Sequence, residues 1–375
     1  MAGAGTTNLV LKPGVPTGRR GEVLNQGILP VEDARHRLRG PFAYEWWYFD
    51  AVFDNGYSAV AIMWPMNYAK PWRRQSTIQL SIYTPEGEHV KQYVFPPRRL
   101  FSGSYTRCDA RIGDSYVRGA HPRYEVKMQA GDIAVDLVFE AETPGWKPGT
   151  AVNYVPFPRY NTMGWLVPLP RARVHGRLRI RDRGVDVEGH GYHDHNWGEA
   201  PFYHVVDNWH WGHVHCGELG VIWADITMNR KLDYDRTFML LLSRGDRLVY
   251  ESADIQASYE DWREEPQYLH AYPSLIRLSF GSSGEPASGK IAMRVKEVIE
   301  TQELLEMSNM PLFLRRAMYK TMAKPYYFRW RSAVEGSLTV EGKTIPLEGD
   351  TIHEQMLLRG ENPRWQLDVA TPAPR

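Results

Sequence analysis

Apolar and polar residues alternate in short runs along most of the chain, and each run is bounded by Gly, Pro, Asn or Asp. Examples are "EWWYFDAVF", "YSAVAIMWP", "STIQLSIYT", "YEVKMQA", "IAVDLVFEAE", "LGVIWADITM", "TFMLLLSR", "IAMRVKEVIETQEL" and "AVEGSLTVEGKTIPLEG". A period of two puts alternate side chains on opposite faces of a strand, so these runs predict half-buried antiparallel strands. "DNG", "PEGE", "AGD" and "SRGD" supply the tight turns between neighbours. There is no βαβ rhythm and no glycine-rich phosphate loop, which argues against a parallel nucleotide-binding sheet. One helix is predicted in "NMPLFLRRAMYKTMAKP", with Asn309 as cap, Pro311 in the first turn, Leu314, Met318 and Met322 on one face, and Pro325 beyond the end.

The expected fold is therefore all-β: two tandem antiparallel barrels or sandwiches, with one helix in the C-terminal domain. With 375 residues the chain is too long for one ordinary core. The expected organisation is a loosely ordered arm over residues 1–35, one β domain over 36–198 and a second over 199–375. Residues 144–175, rich in Pro, Gly and aromatics, read as a long irregular connection of the kind that borders binding sites.

Charge and composition remove several function classes. Lys and Arg number 45 against 44 Asp and Glu, so no basic excess points to nucleic acid. The two cysteines, Cys108 and Cys216, lack the spacing of a thiolate metal site and read as free thiols of a reducing compartment. The N-terminal stretch shows no cationic start followed by an apolar run, and no segment approaches the roughly 18 apolar residues of a membrane span. The expectation is a soluble, cytoplasmic protein. Its 13 Trp, 21 Tyr and 12 Phe must fill cores or line a cavity.

The chemistry concentrates in "GHGYHDHNWG", residues 189–198: seven of the 13 histidines fall between His190 and His215. If this stretch is a strand, His190, Tyr192 and Asp194 share one face, and His193 and His195 the other. Three readings are open. His193-x-His195 with Glu199 is a metal-ligand pattern, and His213-x-His215 is a second such pair, although Val187 and Val206 stand where jelly-roll metal barrels carry glycines. Asp194 beside Tyr192, in a poorly hydrated aromatic cavity, is suited to general-acid work, with His190 reloading the proton. A hydrogen-bonded turn with satisfied buried histidines is the third. "EWWYFD" adds Glu45 and Trp47 on one face and Trp46, Tyr48 and Asp50 on the other. "DNWHWGHVHC" adds His210 and Trp211. Such rings can wall a site for a long apolar ligand and stabilise a developing cation.

"EWWYFD", "GHGYHDHNWG" and "NWHWGHVH" together resemble the carotenoid 1,2-hydratase (hydroxyneurosporene synthase) and AttH-like group, and more distantly the fungal decalin-forming Diels–Alderases. The likeness runs from about residue 40 to "EGDTIHEQMLLR". It implies two lipocalin-like β domains and, at Tyr192 and Asp194, the Tyr-x-Asp pair that delivers a proton to a terminal isoprenoid double bond. The family's upstream His-x-Trp falls on "MGW", where Trp165 is kept but Met163 replaces the histidine.

These observations lead to an expected enzyme that acts by acid–base chemistry at a double bond of a hydrophobic isoprenoid or polyene, in a pocket between the two domains, by hydration, cyclisation or isomerisation. Asp194, Tyr192 and His190 are the expected catalytic residues. Trp47, Trp165, Trp211, His210, Glu45 and Met163 are the expected substrate contacts. No cofactor is expected, and peripheral membrane contact would give access to such a substrate. The alternatives are a cofactor-free pericyclase and a non-catalytic lipid or pigment carrier.

Overall fold

The computed structural model of the chain describes residues 17–20, 27–40, 43–67, 73–148, 151–154, 162–200, 205–266, 270–282, 285–303, 313 and 325–359. Its strands are arranged in two large antiparallel sheets. The chain divides into two units: Asn25–Ala200 with Gly245–Leu248, and Met1–Leu24 with Pro201–Arg244 and Val249–Arg375. The helix expected over 309–325 falls almost wholly outside the described residues. No described helix is long and apolar enough to cross a membrane.

In the first unit the strands Tyr44–Phe53, Ser58–Trp64, Thr77–Tyr83 and His89–Val94 form a meander. The opening strand of that meander pairs with the last long strand of the unit, Arg183–Gly198. Beyond it the sheet continues through Thr162–Ile180, Ile133–Ala141 and Arg123–Ala130 to Phe101–Gly103. The alternation seen in sequence becomes alternating burial, most clearly in Arg123–Ala130 and Ile133–Ala141. The inward residues, among them Trp47, Phe49, Leu80, Val126, Leu137 and Phe139, share one core.

The second unit repeats this wiring. Its opening meander Val206–Cys216, Leu219–Met228, Arg236–Arg244 and Arg247–Ser252 also has its first strand paired to the unit's last, Lys343–Leu357. Where His195 and His193 stand opposite Trp47 and Phe49 in the first sheet, Gln355 and His353 stand opposite His210 and Gly212 in the second. His353 is fully buried against Ser332 Oγ, 2.7 Å from Nε2. Burial holds its pKa down from 6.5 to about 3. The unfolded chain therefore binds a proton that the folded unit refuses as pH drops from 6.5 towards 3, and stability falls over that window. By pH 3 the loss amounts to about 4–5 kcal/mol from this residue. Chemical denaturation of His353→Gln, which can keep the Ser332 bond, should show a flatter stability profile between pH 6.5 and 3 than the parent. An unchanged profile would contradict the assignment.

Two expectations are corrected. Residues 144–175 are not one irregular connection, because Thr162–Ile180 is a continuous strand. Its Pro168 and Pro170 sit where the register with Arg183–Gly198 shifts, between Leu166 and Leu169 and between Leu169 and Ala172, so the missing N–H groups interrupt no regular ladder. Residues 1–35 are not wholly a loose arm, because Pro30–Asp33 forms a 3-10 turn that carries Asp33 into the core at 1% exposure.

Candidate functional site

The strand Arg183–Gly198 separates two chemistries by alternation. On the face turned away from the unit's core, Tyr192 lies opposite Asp50, Asp194 opposite Tyr48 and Asn196 opposite Trp46. On the core face, His193 lies opposite Phe49 and His195 opposite Trp47. The even-numbered set is nevertheless buried: Tyr192 is 0% and Asp194 and Tyr48 are each 6% exposed.

Asp194 is the hub of the first face. Its Oδ2 accepts from Trp165 Nε1 at 3.1 Å and from Tyr192 Oη at 3.0 Å, and its Oδ1 accepts from Asn196 Nδ2 at 2.9 Å. Trp165 arrives from the neighbouring strand, where it pairs with Asn196, and its ring meets Trp146 edge to face with centroids 5.3 Å apart. Tyr48 Oη donates to Asp50 Oδ2 at 3.0 Å, and the Tyr48 and Tyr192 rings are 6.3 Å apart. Two Tyr-x-Asp pairs thus lie crosswise on adjacent antiparallel strands. Burial, and then the Asp194 carboxylate, push the Tyr192 phenol well above its usual range, so it stays a hydrogen-bond donor. Donors on both Asp194 oxygens stabilise its carboxylate form.

The core face carries an ionic cluster. Asp33 places Oδ2 3.3 Å from His193 Nε2 and Oδ1 3.0 Å from His195 Nδ1. Glu45 Oε1 lies 3.3 Å from His195 Nε2 and 3.0 Å from His36 Nδ1, and accepts from the His36 backbone N–H at 2.7 Å. Burial alone would raise the Asp33 carboxyl, but His193 and His195 outweigh it and hold the group well below the carboxylate range. Burial likewise opposes charge on His195, yet Asp33 and Glu45 raise it to about 9. Rings fix the imidazoles: Phe49 stacks on His193 at 3.9 Å, Trp47 on His195 at 4.5 Å and Trp197 on His36 at 3.9 Å.

Of the residues expected from sequence, Asp194, Tyr192 and Trp165 come together. Met163 is buried two residues from Trp165 on the same strand. His190 shares the Asp194 face but takes a different partner: its Nδ1 is 2.9 Å from Glu142 Oε2, which also accepts from Arg171 Nε at 2.8 Å. Glu45 and Trp47 lie on the core face, away from Asp194, with Trp47 paired to His195 and its Nε1 donating to Asp33 O. His210 and Trp211 belong to the other unit, on successive positions of Val206–Cys216 that face opposite ways. His210 stacks on Tyr259 at 4.4 Å, and Trp211 is edge-on to His213 at 5.5 Å. Among the described residues the ligand atoms of His193, His195 and Glu199 do not cluster, and Glu199 Oε1 accepts from the Arg39 backbone N–H. Sequence reasoning missed Asn196, although the same alternation that selects Asp194 selects it. It also missed Asp33 and His36, which no periodicity marks.

No model of a known protein family matches the chain. Hydroxyneurosporene dehydrogenase of Chlorobaculum tepidum is 25% identical over 269 residues, covering 61% of this chain and 69% of its own. An AttH-like protein of Nitrosomonas europaea shares the fold with a TM-score of 0.60 at 12% identity, over 87% of this chain and 95% of its own. Kievitone hydratase of Nectria haematococca does so with a TM-score of 0.55 at 14% identity, over 92% of this chain and 98% of its own. The sequence match and the shared architecture agree with the resemblance of the three motifs to the AttH-like, carotenoid-hydratase-like group.

Proposed function

We propose that the chain is an enzyme that protonates a carbon–carbon double bond of a hydrophobic isoprenoid or polyene, with Asp194 as the acid. The observation that carries this reading is the convergence of Trp165, Tyr192 and Asn196 on one buried carboxyl group. Protonation of an alkene creates a cation on the substrate and an anion on the protein. The three donors stabilise the anion, and the aromatic rings of Trp165 and its edge-to-face neighbour Trp146 offer π surface to the cation. The names of the relatives, a hydroxyneurosporene dehydrogenase and a kievitone hydratase, support an enzyme of natural-product substrates, and the second name supports addition at a double bond.

The fate of the cation depends on how water is held. Met163 occupies the position of the family's histidine, and a thioether orients water poorly. Capture of the cation by an internal double bond, or loss of a neighbouring proton, is then favoured over hydration. Met163→His should raise the hydrated share of the product, as read by mass spectrometry after incubation with an acyclic carotenoid that carries a terminal isoprenoid double bond. A product mixture that does not change would count against this role for Met163.

Trp165→Phe tests the donor set. It keeps an aromatic ring but removes one of the hydrogen bonds to Asp194, a loss of about 1–2 kcal/mol, and turnover should fall roughly 5- to 30-fold. Undiminished turnover would show that the bond is structural.

A further inference from the structure

The core face of the first unit holds a polar cluster that the double-bond chemistry leaves unused. Three of its residues, His36, Glu45 and His195, each offer a ligand atom within 4.8 Å of the others, with Glu45 Oε1 facing His36 Nδ1 and His195 Nε2. They come from three separate segments: the stretch after Pro30–Asp33, the strand Tyr44–Phe53 and the strand Arg183–Gly198. We infer that these three atoms form a site for one divalent transition-metal ion, of the kind zinc occupies, with Asp33 as the outer carboxylate that orients His195.

Distances within the cluster fit a shared ion. Zinc binds imidazole nitrogen and carboxylate oxygen at about 2.0–2.2 Å, so two ligands of one ion stand about 3.0–3.5 Å apart. Glu45 Oε1 is 3.0 Å from His36 Nδ1 and 3.3 Å from His195 Nε2. The second contact is off the line of a hydrogen bond from the imidazole. Two ligands that point at a shared ion show this arrangement, whereas the His36–Glu45 contact has hydrogen-bond geometry, which the ion would replace.

The surroundings fit as well. A metal-bound histidine ordinarily offers its other nitrogen to a carboxylate, which fixes ring orientation. Asp33 Oδ1 stands 3.0 Å from His195 Nδ1, within reach of that role although off the line of a hydrogen bond in this structure. Trp47 and Trp197 clamp the His195 and His36 rings by stacking. Two carboxylates in a nearly dry interior also favour a doubly charged partner. The Glu45, Asp33 and His195 side chains are 4%, 1% and 0% exposed, whereas that of His36 is 23% exposed and gives the ion a way in from solvent. Two histidines and one carboxylate leave a coordination position open.

The test uses the full-length protein, stripped with a chelator and titrated with zinc chloride by calorimetry. Cobalt chloride then serves as a spectroscopic probe. The expected result is one zinc per chain and a visible cobalt ligand-field band. Asp33→Asn should weaken zinc binding by about 10- to 100-fold. His36→Ala and His36→Gln, both at a partly exposed position, should stay folded by circular dichroism and lose the cobalt band. Glu199→Gln and Asp194→Asn should bind as the parent does, which separates this site from a His193, His195 and Glu199 set and from the acid function. Failure of the folded, stripped protein to take up stoichiometric zinc would overturn the inference. So would parent-like binding by both His36 variants.

Discussion

Asp194→Asn should lower turnover about 10²- to 10⁴-fold, the usual share of a positioned general acid, while leaving the fold intact. The substitution is nearly isosteric and removes only the ability to deliver a proton. Hydrogen bonding can be restored around it. If the new amide oxygen faces Trp165 Nε1 and Tyr192 Oη, the new NH₂ faces Asn196, whose own amide can flip to accept. Thermal melting of the variant should therefore match the parent within about 1 kcal/mol. A folded variant with undiminished turnover would remove Asp194 from the chemistry and favour a pocket that only shapes its substrate.

Gly191→Ala should be among the most damaging conservative changes in the motif, and its effect should be on stability. A Cβ at this position would lie 2.4 Å from Asp50 O, 2.7 Å from the Phe139 ring and 2.8 Å from Val174. The first neighbour is backbone of the paired strand and cannot turn aside, so the two strands must separate where Tyr192 and Asp194 face Asp50 and Tyr48. Overpacking of this kind costs about 3 kcal/mol, equivalent to a fall of roughly 6–12 °C in the melting temperature of a unit of this size. Scanning calorimetry checks it. An unchanged melt would mean that the sheet yields there without cost.

The glycines of "GHGYHDHNWG" were legible as punctuation, but the structure gives them a different reason. Gly189 and Gly191 permit close approach of the neighbouring backbone, and Gly198 would meet Tyr44 Oη at 2.4 Å. Strand runs and the division of His190, Tyr192 and Asp194 from His193 and His195 come from a period of two, a local property that can be counted along the chain. The partner of each face cannot be counted in this way. That Glu45 and Trp47 share a face can be counted, but which face of Tyr44–Phe53 lies beside Asp194 depends on its register with Arg183–Gly198, which neither motif states. Asp33 was hidden for another reason. It lies on a 3-10 turn outside every alternating run, and its role depends on two histidines 160 residues away or more. The strand Thr162–Ile180 was masked by prolines that the chain places at register shifts.

The proposed chemistry differs from simple confinement of a substrate in one atom of the product. Turnover of an acyclic carotenoid or related polyene in deuterium oxide, with mass spectrometry and carbon NMR of the product, shows where that atom comes from. Delivery of a proton by Asp194 predicts one solvent-derived deuterium on a carbon next to the new bond or hydroxyl group, present with the parent and lost along with turnover in Asp194→Asn. Full turnover to a product that carries no deuterium on carbon would contradict it.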